Sequence, residues 1–154
     1  MKVNHVDTIE QRVNRRWEQL GFESLLPEEK GYVATWLLVS DVNNGGFEQY
    51  LTNNTGDLAL VALDALRSAG ASETQAILEE ALSILEAAGG YCADRAERWS
   101  RIESLPLQGA ELDGLDKRFY SRSEEPLTLI LVRVAEAYGH DIGTSHIAGR
   151  TRER

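Results

Sequence analysis

Cysteine, proline and long apolar runs are scarce in this chain of 154 residues, and each scarcity excludes a class of protein. The single cysteine, Cys92, cannot form an internal disulfide, which excludes a disulfide-stapled secreted fold and favours the cytoplasm. With only three prolines, most of the chain is free to form helices. No apolar run approaches the roughly 20 residues of a membrane span, and the candidate at residues 127–132 stops at Arg133, so we expect no membrane contact.

Recognisable catalytic and metal-binding patterns are also absent from the sequence. There is no Gly-x-Ser-x-Gly, no phosphate-binding glycine loop and no Cys-x-x-Cys. Asp41 begins a partial match to a calcium loop, but Gly45 has no side-chain oxygen at the fifth position and Thr52 replaces the bidentate glutamate at the twelfth. The spacing of the three histidines fits no helical metal motif; they are His5, His140 and His146. We therefore predict a protein without catalysis, cofactor or metal ion.

Basic side chains are scarce in the middle of the chain. The formal net charge is −9, and between Gly31 and Asp94 the only base is Arg67. Nine acids share this stretch, namely Asp41, Glu48, Asp57, Asp64, Glu73, Glu79, Glu80, Glu86 and Asp94. Such a region repels nucleic acid and attracts basic proteins. We therefore predict a basic protein partner, and no direct nucleic-acid binding outside the short tail at residues 150–154.

What the sequence has in abundance is helical periodicity. Apolar residues recur every three or four positions through most of the chain, and no convincing period-two run is present. The pattern predicts helices over residues 6–20, 27–42, 58–69, 72–88, 92–102, 112–119 and 123–138. Ser72 with Gln75 forms a capping-box pattern at the start of the fourth, and Gly139 follows the seventh.

These helices predict one all-α domain. We expect a single-domain bundle of about seven helices over residues 1–142, followed by a flexible C-terminal tail at residues 143–154. Trp17, Trp36 and Trp99 fall in three different helices, which predicts that those helices converge on one core. Cys92 is expected to be a small core residue.

One stretch stands out between the second helix and a short following helix. Residues 43–46 read Asn-Asn-Gly-Gly, and glycine and asparagine tolerate the backbone geometry of a sharp corner. Aromatic and amide side chains follow, which are Phe47, Gln49, Tyr50 and Asn53. Phe47 and Tyr50 have the spacing of a helix face on the core, while the amides can satisfy backbone groups near the corner. The same side chains could instead line a pocket for a small ligand or peptide.

This stretch resembles the signature of a family of small bacterial proteins described as domain of unknown function 4375, which includes a DNA mimic protein. The residues that carry the resemblance are Val42, Asn43, Asn44, Gly45, Gly46, Phe47, Gln49, Tyr50 and Asn53. A looser similarity extends over roughly residues 6–140. The resemblance implies an all-helical fold and a decoy for DNA-binding proteins. The signature residues themselves are expected to be structural, because mimicry depends on surface carboxylates.

The candidate partner-binding surface is a set of seven acids, Asp57, Asp64, Glu73, Glu79, Glu80, Glu86 and Asp94. The four glutamates of the fourth helix fall on its polar face and span about 20 Å, where duplex DNA carries about twelve phosphates. One helix is therefore insufficient, and mimicry requires neighbouring helices or a second copy of the chain in a homodimer. Two further functions stay open: an acidic antidote to a basic toxin, and a ligand-binding module built on the amide corner.

Overall fold

The computed structural model describes residues 8–105 and 110–150, most of which are helical. The α-helices are α1 (Ile9–Leu20), α2 (Pro27–Thr52), α3 (Ala59–Ala69), α4 (Ser72–Ser83), α5 (Arg95–Ser104), α6 (Ala110–Tyr120) and α7 (Pro126–Arg150). Short 3-10 helices occupy Phe22–Ser24, Asn54–Leu58 and Ile84–Ala88. These described ranges contain no strand. The predicted all-α fold with about seven helices is confirmed.

Helix α2 lies at the centre of the bundle. Helices α3, α5, α6 and α7 all pack against it. Its residues Leu38, Val42, Phe47 and Tyr50 are completely buried. Burying one such aliphatic or aromatic side chain contributes about 1.5–3 kcal/mol, so α2 accounts for a large share of the core energy.

Glu29, near the start of α2, connects three helices although it is charged and fully buried. Its carboxylate accepts two hydrogen bonds from Arg16 of α1, at 2.8 and 3.1 Å, and one from the hydroxyl of Tyr138 of α7 at 2.7 Å. The backbone N–H of Leu26 donates to the same carboxylate at 2.9 Å. Burial by itself raises the pKa of Glu29, but these donors outweigh it and hold the pKa below its ordinary value of 4.5.

The starts of two helices differ in how they are capped. Thr8 caps α1 with a full capping box, in which its side chain and that of Gln11 each accept from the other's backbone N–H. The predicted start of this helix at Val6 lies outside the described residues. The predicted capping box at Ser72 is wrong, because Ser72 is already the first helical residue. The free N–H of Thr74 donates instead to Glu124, from the segment before α7, at 2.6 Å.

Two predicted helix ends also differ from the structure. The fourth helix is α-helical only to Ser83 and continues as a 3-10 turn before Gly89, which has a φ of 108°. The predicted end of the last helix before Gly139 is wrong, since α7 runs on to Arg150. A glycine inside a helix costs about 1 kcal/mol relative to alanine, and α7 continues through Gly139, Gly143 and Gly149. Residues 143–150 of the predicted tail belong to α7, and residues 151–154 are outside the described part.

Within the described ranges, none of the helices has both the length and the apolar character needed to cross a bilayer.

The tryptophans do not mark the core as predicted. Trp17 is partly buried against it, but Trp36 and Trp99 are 40% and 42% exposed. Indole can remain at a surface because its ring is amphipathic, and the guanidinium of Arg95 covers Trp99 at 5.4 Å. Cys92 is also only half-buried, which differs from the predicted core position.

Candidate functional site

Helix α2 is interrupted at the two glycines of the signature. Gly45 has φ −154° and ψ 18°, and Gly46 has φ 75° and ψ −177°. The second conformation is accessible almost only to glycine. Asn43 and Asn44 keep helical geometry, so the two glycines alone change the direction of α2.

Helix α6 supplies partners for the backbone groups that this interruption leaves open. The N–H of Phe47 donates to Oδ1 of Asp116 at 2.8 Å. The hydroxyl of Tyr120 donates to the carbonyl oxygen of Val42 at 2.7 Å. These two bonds replace intrahelical ones, which the backbone needs when it is buried. A side chain on Gly46 would collide with the carboxylate of Asp116, so the close approach of α6 also requires glycine.

Asp41 accepts hydrogen bonds from polar side chains that follow the corner. Its Oδ1 accepts from the amide of Gln49 at 3.2 Å, and its Oδ2 accepts from the amide of Asn53 at 3.3 Å and from the hydroxyl of Thr55. The amide oxygen of Gln49 accepts in turn from Asn44 at 3.2 Å. Three donors on one carboxylate fasten the residues after the corner to the helix before it.

Arg98 of α5 caps the C-terminal end of α2. It is fully buried, and its guanidinium donates at 2.6 to 3.1 Å to four carbonyl oxygens, those of Leu51, Asn53, Cys92 and Ala93. Its Nη2 also lies 2.9 Å from Oδ1 of Asp57. The last carbonyl groups of a helix have no intrahelical donor, so Arg98 serves as a cap for α2. These contacts in turn satisfy a charge that would be costly to bury alone.

The signature residues therefore lie together, with their aromatic side chains in the core and their amides bonded to neighbouring side chains. Phe47 and Tyr50 are fully buried, and the ring of Phe47 meets that of Phe119 edge to face at 5.7 Å. Asn43 and Asn44 are exposed. The groove found among the described residues lies near the start of α2, away from this corner.

Asp64 of α3 and Glu79 of α4 meet at one arginine, and Glu80 follows Glu79 on α4. Arg67 is 3.0 Å from Asp64 of its own helix and 3.7 Å from Glu79 of α4, so it bridges the two. Glu80 forms an ion pair with Arg118 of α6. All three carboxylates stay accessible, with exposed fractions of 78% for Asp64, 46% for Glu79 and 53% for Glu80. We call these three side chains the α3–α4 acidic surface.

The other four candidate acids are placed elsewhere. Asp57 forms the ion pair with the buried arginine described above, and Asp94 caps α5 by accepting a backbone N–H at 3.0 Å. Glu73 accepts two hydrogen bonds from Ser123, at 3.1 and 2.9 Å. Glu86 is exposed and has no hydrogen bond or ion pair among the described residues. Asp57, Glu73 and Asp94 thus have structural roles of their own.

Sequence patterns do not reveal the groups that hold the corner. Phe47 and Asp116 are 69 positions apart, and Leu51 and Arg98 are 47 positions apart. Local periodicity carries no information on contacts at such separations. Arg98 in particular has the surroundings of an ordinary solvent-facing residue in the sequence, between Glu97 and Trp99.

Metal ligation finds no support in the described part of the chain. No group of three His, Cys, Asp or Glu side chains there could hold a metal ion. His5 and the side chains of His140 and His146 lie outside the described residues.

Comparison with known families completes this picture. The model of a family described as DMP19-like protein matches residues 23–138, a range that includes the corner, the α3–α4 acidic surface and Arg98. No curated protein and no solved structure matches the chain. Because the matched residues make up well over half of its length, the chain belongs to the DMP19-like protein family.

Proposed function

We propose that this chain is a non-catalytic, acidic interaction domain of the cytoplasm that acts as a DNA mimic. In this role it occupies the DNA-binding surface of a basic regulator or nucleoid-type protein. Its membership of the DMP19-like family is compatible with that role. The observation that carries the proposal is the α3–α4 acidic surface, where Asp64 and Glu79 share Arg67 across two helices and Glu80, the next residue of α4, is also accessible.

The arginines that pair with this surface do not prevent it from binding a partner. Arg67 and Arg118 are 55% and 51% exposed. Exposed ion pairs contribute only about 0–1 kcal/mol, so a cationic partner can replace them at little cost. Long-range attraction by the acidic chain would speed the encounter.

The number of carboxylates sets a further requirement. Duplex DNA carries one phosphate per ~1.7 Å of its axis, so three carboxylates imitate only a short piece of it. We therefore propose that two copies of the chain pool their acidic surfaces in a homodimer. A symmetric pair would double the anionic surface without any new contact within each copy.

A competition experiment tests the mimic. The tagged chain is used to capture partners from lysate at rising salt, and each captured protein is then titrated with labelled duplex DNA. We expect binding that weakens with salt, because exposed charges are screened beyond about 10 Å at 0.1 M salt. We also expect this chain to displace DNA from the partner. A partner that holds DNA and this chain at the same time would rule out mimicry.

Matched variants locate the surface. Glu79→Gln with Glu80→Gln removes two charges of the α3–α4 acidic surface, and Glu18→Gln with Glu103→Gln removes two exposed charges on other helices. The first pair should weaken DNA displacement much more than the second. Equal effects would show that only the overall charge matters and that this surface is not the binding site.

The same experiment separates the alternatives. Capture of a basic toxin instead of a DNA-binding protein would identify an antidote. A ligand-binding corner would require the amides of Gln49 and Asn53 to leave Asp41, so the observed hydrogen bonds favour the structural role of that corner.

A further inference from the structure

A groove lies between the first turn of α2, helix α3 and helix α7. Its volume is about 300 Å³, and its floor is largely apolar, formed by Val61 and Ala65 of α3 and Ile130 of α7. All of its walls belong to helices of the central bundle. The groove is therefore preformed, as small-molecule sites usually are.

Small residues create this groove. A Cβ atom on Gly31 would lie 2.7 Å from the Cβ of Ala65, so α2 and α3 cross here too closely for a side chain. The floor is fixed by this contact, and its shape does not depend on a flexible loop.

Four charged residues line the groove. Three of them form ion pairs with residues outside it. Lys30 is 3.7 Å from Glu23, and its ammonium lies 5.7 Å from the ring centre of Phe22. Two further pairs are internal to α3 and α7, Asp64 with Arg67 at 3.0 Å and Arg133 with Glu136 at 3.3 Å. The charges of these three lining residues are therefore partly compensated from outside the groove.

Glu28 is the exception. It lines the groove, is half-buried, and has no hydrogen bond or ion pair with any described residue. A carboxylate at the edge of an apolar floor lacks part of its hydration and gains from a cation placed beside it. The acidic chain as a whole also favours a cation over an anion.

We propose that this groove binds a small amphipathic amine, with the apolar body on Val61, Ala65 and Ile130 and the ammonium group against Glu28. This site is independent of the proposed mimicry and shares only Asp64 with the α3–α4 acidic surface. The apolar floor selects against small hydrophilic cations, and the carboxylate selects against neutral or acidic compounds of the same shape.

Three probes of similar shape test this site: 2-phenylethylamine, 2-phenylethanol and 3-phenylpropionate. Thermal unfolding of the full chain is followed at increasing concentrations of each, at constant ionic strength. A ligand that binds only the folded state raises the melting temperature in a saturable manner. We expect this for the amine, a smaller rise for the alcohol and none for the carboxylate. Absence of a saturable rise with the amine would overturn the proposal.

Variants show whether the amine binds at this groove. Glu28→Gln should weaken amine binding about tenfold or more, the usual effect of losing a hydrogen bond to a charged group, and leave the alcohol unaffected. Ser68→Phe places bulk at the exposed rim and should weaken all binding there. Glu48→Gln, an exposed acid on the same helix, is the matched control and should change nothing. Equal weakening by Glu28→Gln and Glu48→Gln would show general attraction to an acidic protein and overturn the site.

Discussion

At the scale of single residues, Gly46 and Arg98 are fixed by contacts with distant parts of the chain. Gly46 has a backbone conformation that other residues avoid, and it faces the carboxylate of Asp116 from α6. Arg98 caps α2 from a helix that begins more than forty positions later. Each has a role that a substitution can isolate.

Replacing Gly46 with alanine should destabilise the fold by at least about 2 kcal/mol, because it combines backbone strain with a collision against Asp116. Gly70→Ala is the control, since Gly70 also has a positive φ, of 72°, but has open space around it. Urea unfolding of both variants measures the difference. A loss for Gly46→Ala no larger than for Gly70→Ala would contradict the close contact with α6.

Replacing Arg98 with methionine should cost about 3–5 kcal/mol, because it leaves a carboxylate and several carbonyl groups without their cation. Arg118→Met removes an exposed arginine and should cost less than about 1 kcal/mol. Chemical denaturation gives both values. If the two variants were equally stable, the capping role of Arg98 would be wrong.

At the scale of helices, the sequence predicts which segments are helical better than it predicts where they begin and end. Periodicity indicates all seven α-helices, because burial of an apolar face is a local repeating signal. The start of α4 at Ser72 is predicted correctly, but the capping box there is absent, and a backbone N–H of the first turn is satisfied by Glu124, fifty positions away. The end of α7 differs from the prediction because the helix continues past Gly139 and contains two further glycines, Gly143 and Gly149. In the candidate site, the sequence predicts the corner at the two glycines and the buried positions of Phe47 and Tyr50. It does not predict the contacts of Asp116 and Arg98, because their partners are distant in the chain.

The junction of α1, α2 and α7 should depend on pH through Glu29. The folded-state pKa of Glu29 lies below its ordinary value, because hydrogen bonds from Arg16, Leu26 and Tyr138 outweigh the effect of burial. Such a group contributes stability above its unfolded pKa, which is its ordinary value of 4.5, and this stability is lost as pH falls through the folded pKa. We therefore expect the stability difference between wild type and Glu29→Gln to be constant above about pH 5.5 and to shrink at lower pH.

Urea unfolding between pH 3 and 7 measures this difference. Glu18→Gln, at an exposed position of α1, is the control and should follow the wild type at every pH. A Glu29→Gln variant whose stability declines in parallel with the wild type below pH 5 would show that other carboxylates account for the acid sensitivity.

At the scale of the whole molecule, the arrangement of charge matters more than its total. The formal charge is −9, yet several carboxylates serve as caps or ties inside the structure, including Asp41, Asp94 and Asp116. These side chains cannot turn towards a partner without giving up the hydrogen bonds that they make within the fold. The α3–α4 acidic surface is different, since its carboxylates are accessible and their arginine partners are exposed.

Removing those arginines should strengthen partner binding under the proposed function. The double variant Arg67→Gln with Arg118→Gln leaves the acidic surface more negative and, because exposed ion pairs are weak, nearly as stable. We expect tighter binding of the captured basic protein at low salt, with the gain vanishing near 1 M salt, where screening acts within about 3 Å. Arg15→Gln with Arg133→Gln changes the net charge equally on other helices. An equal gain from that pair would show that net charge alone controls binding.

The first helix lies outside the residues that define the family, yet it supplies the guanidinium that neutralises Glu29. A fragment trimmed to begin at residue 23 would keep α2 to α7 while removing the arginine that pairs with the buried carboxylate of Glu29. Family boundaries are thus a poor guide to where this protein can be shortened. Anyone preparing it for crystallisation should retain α1.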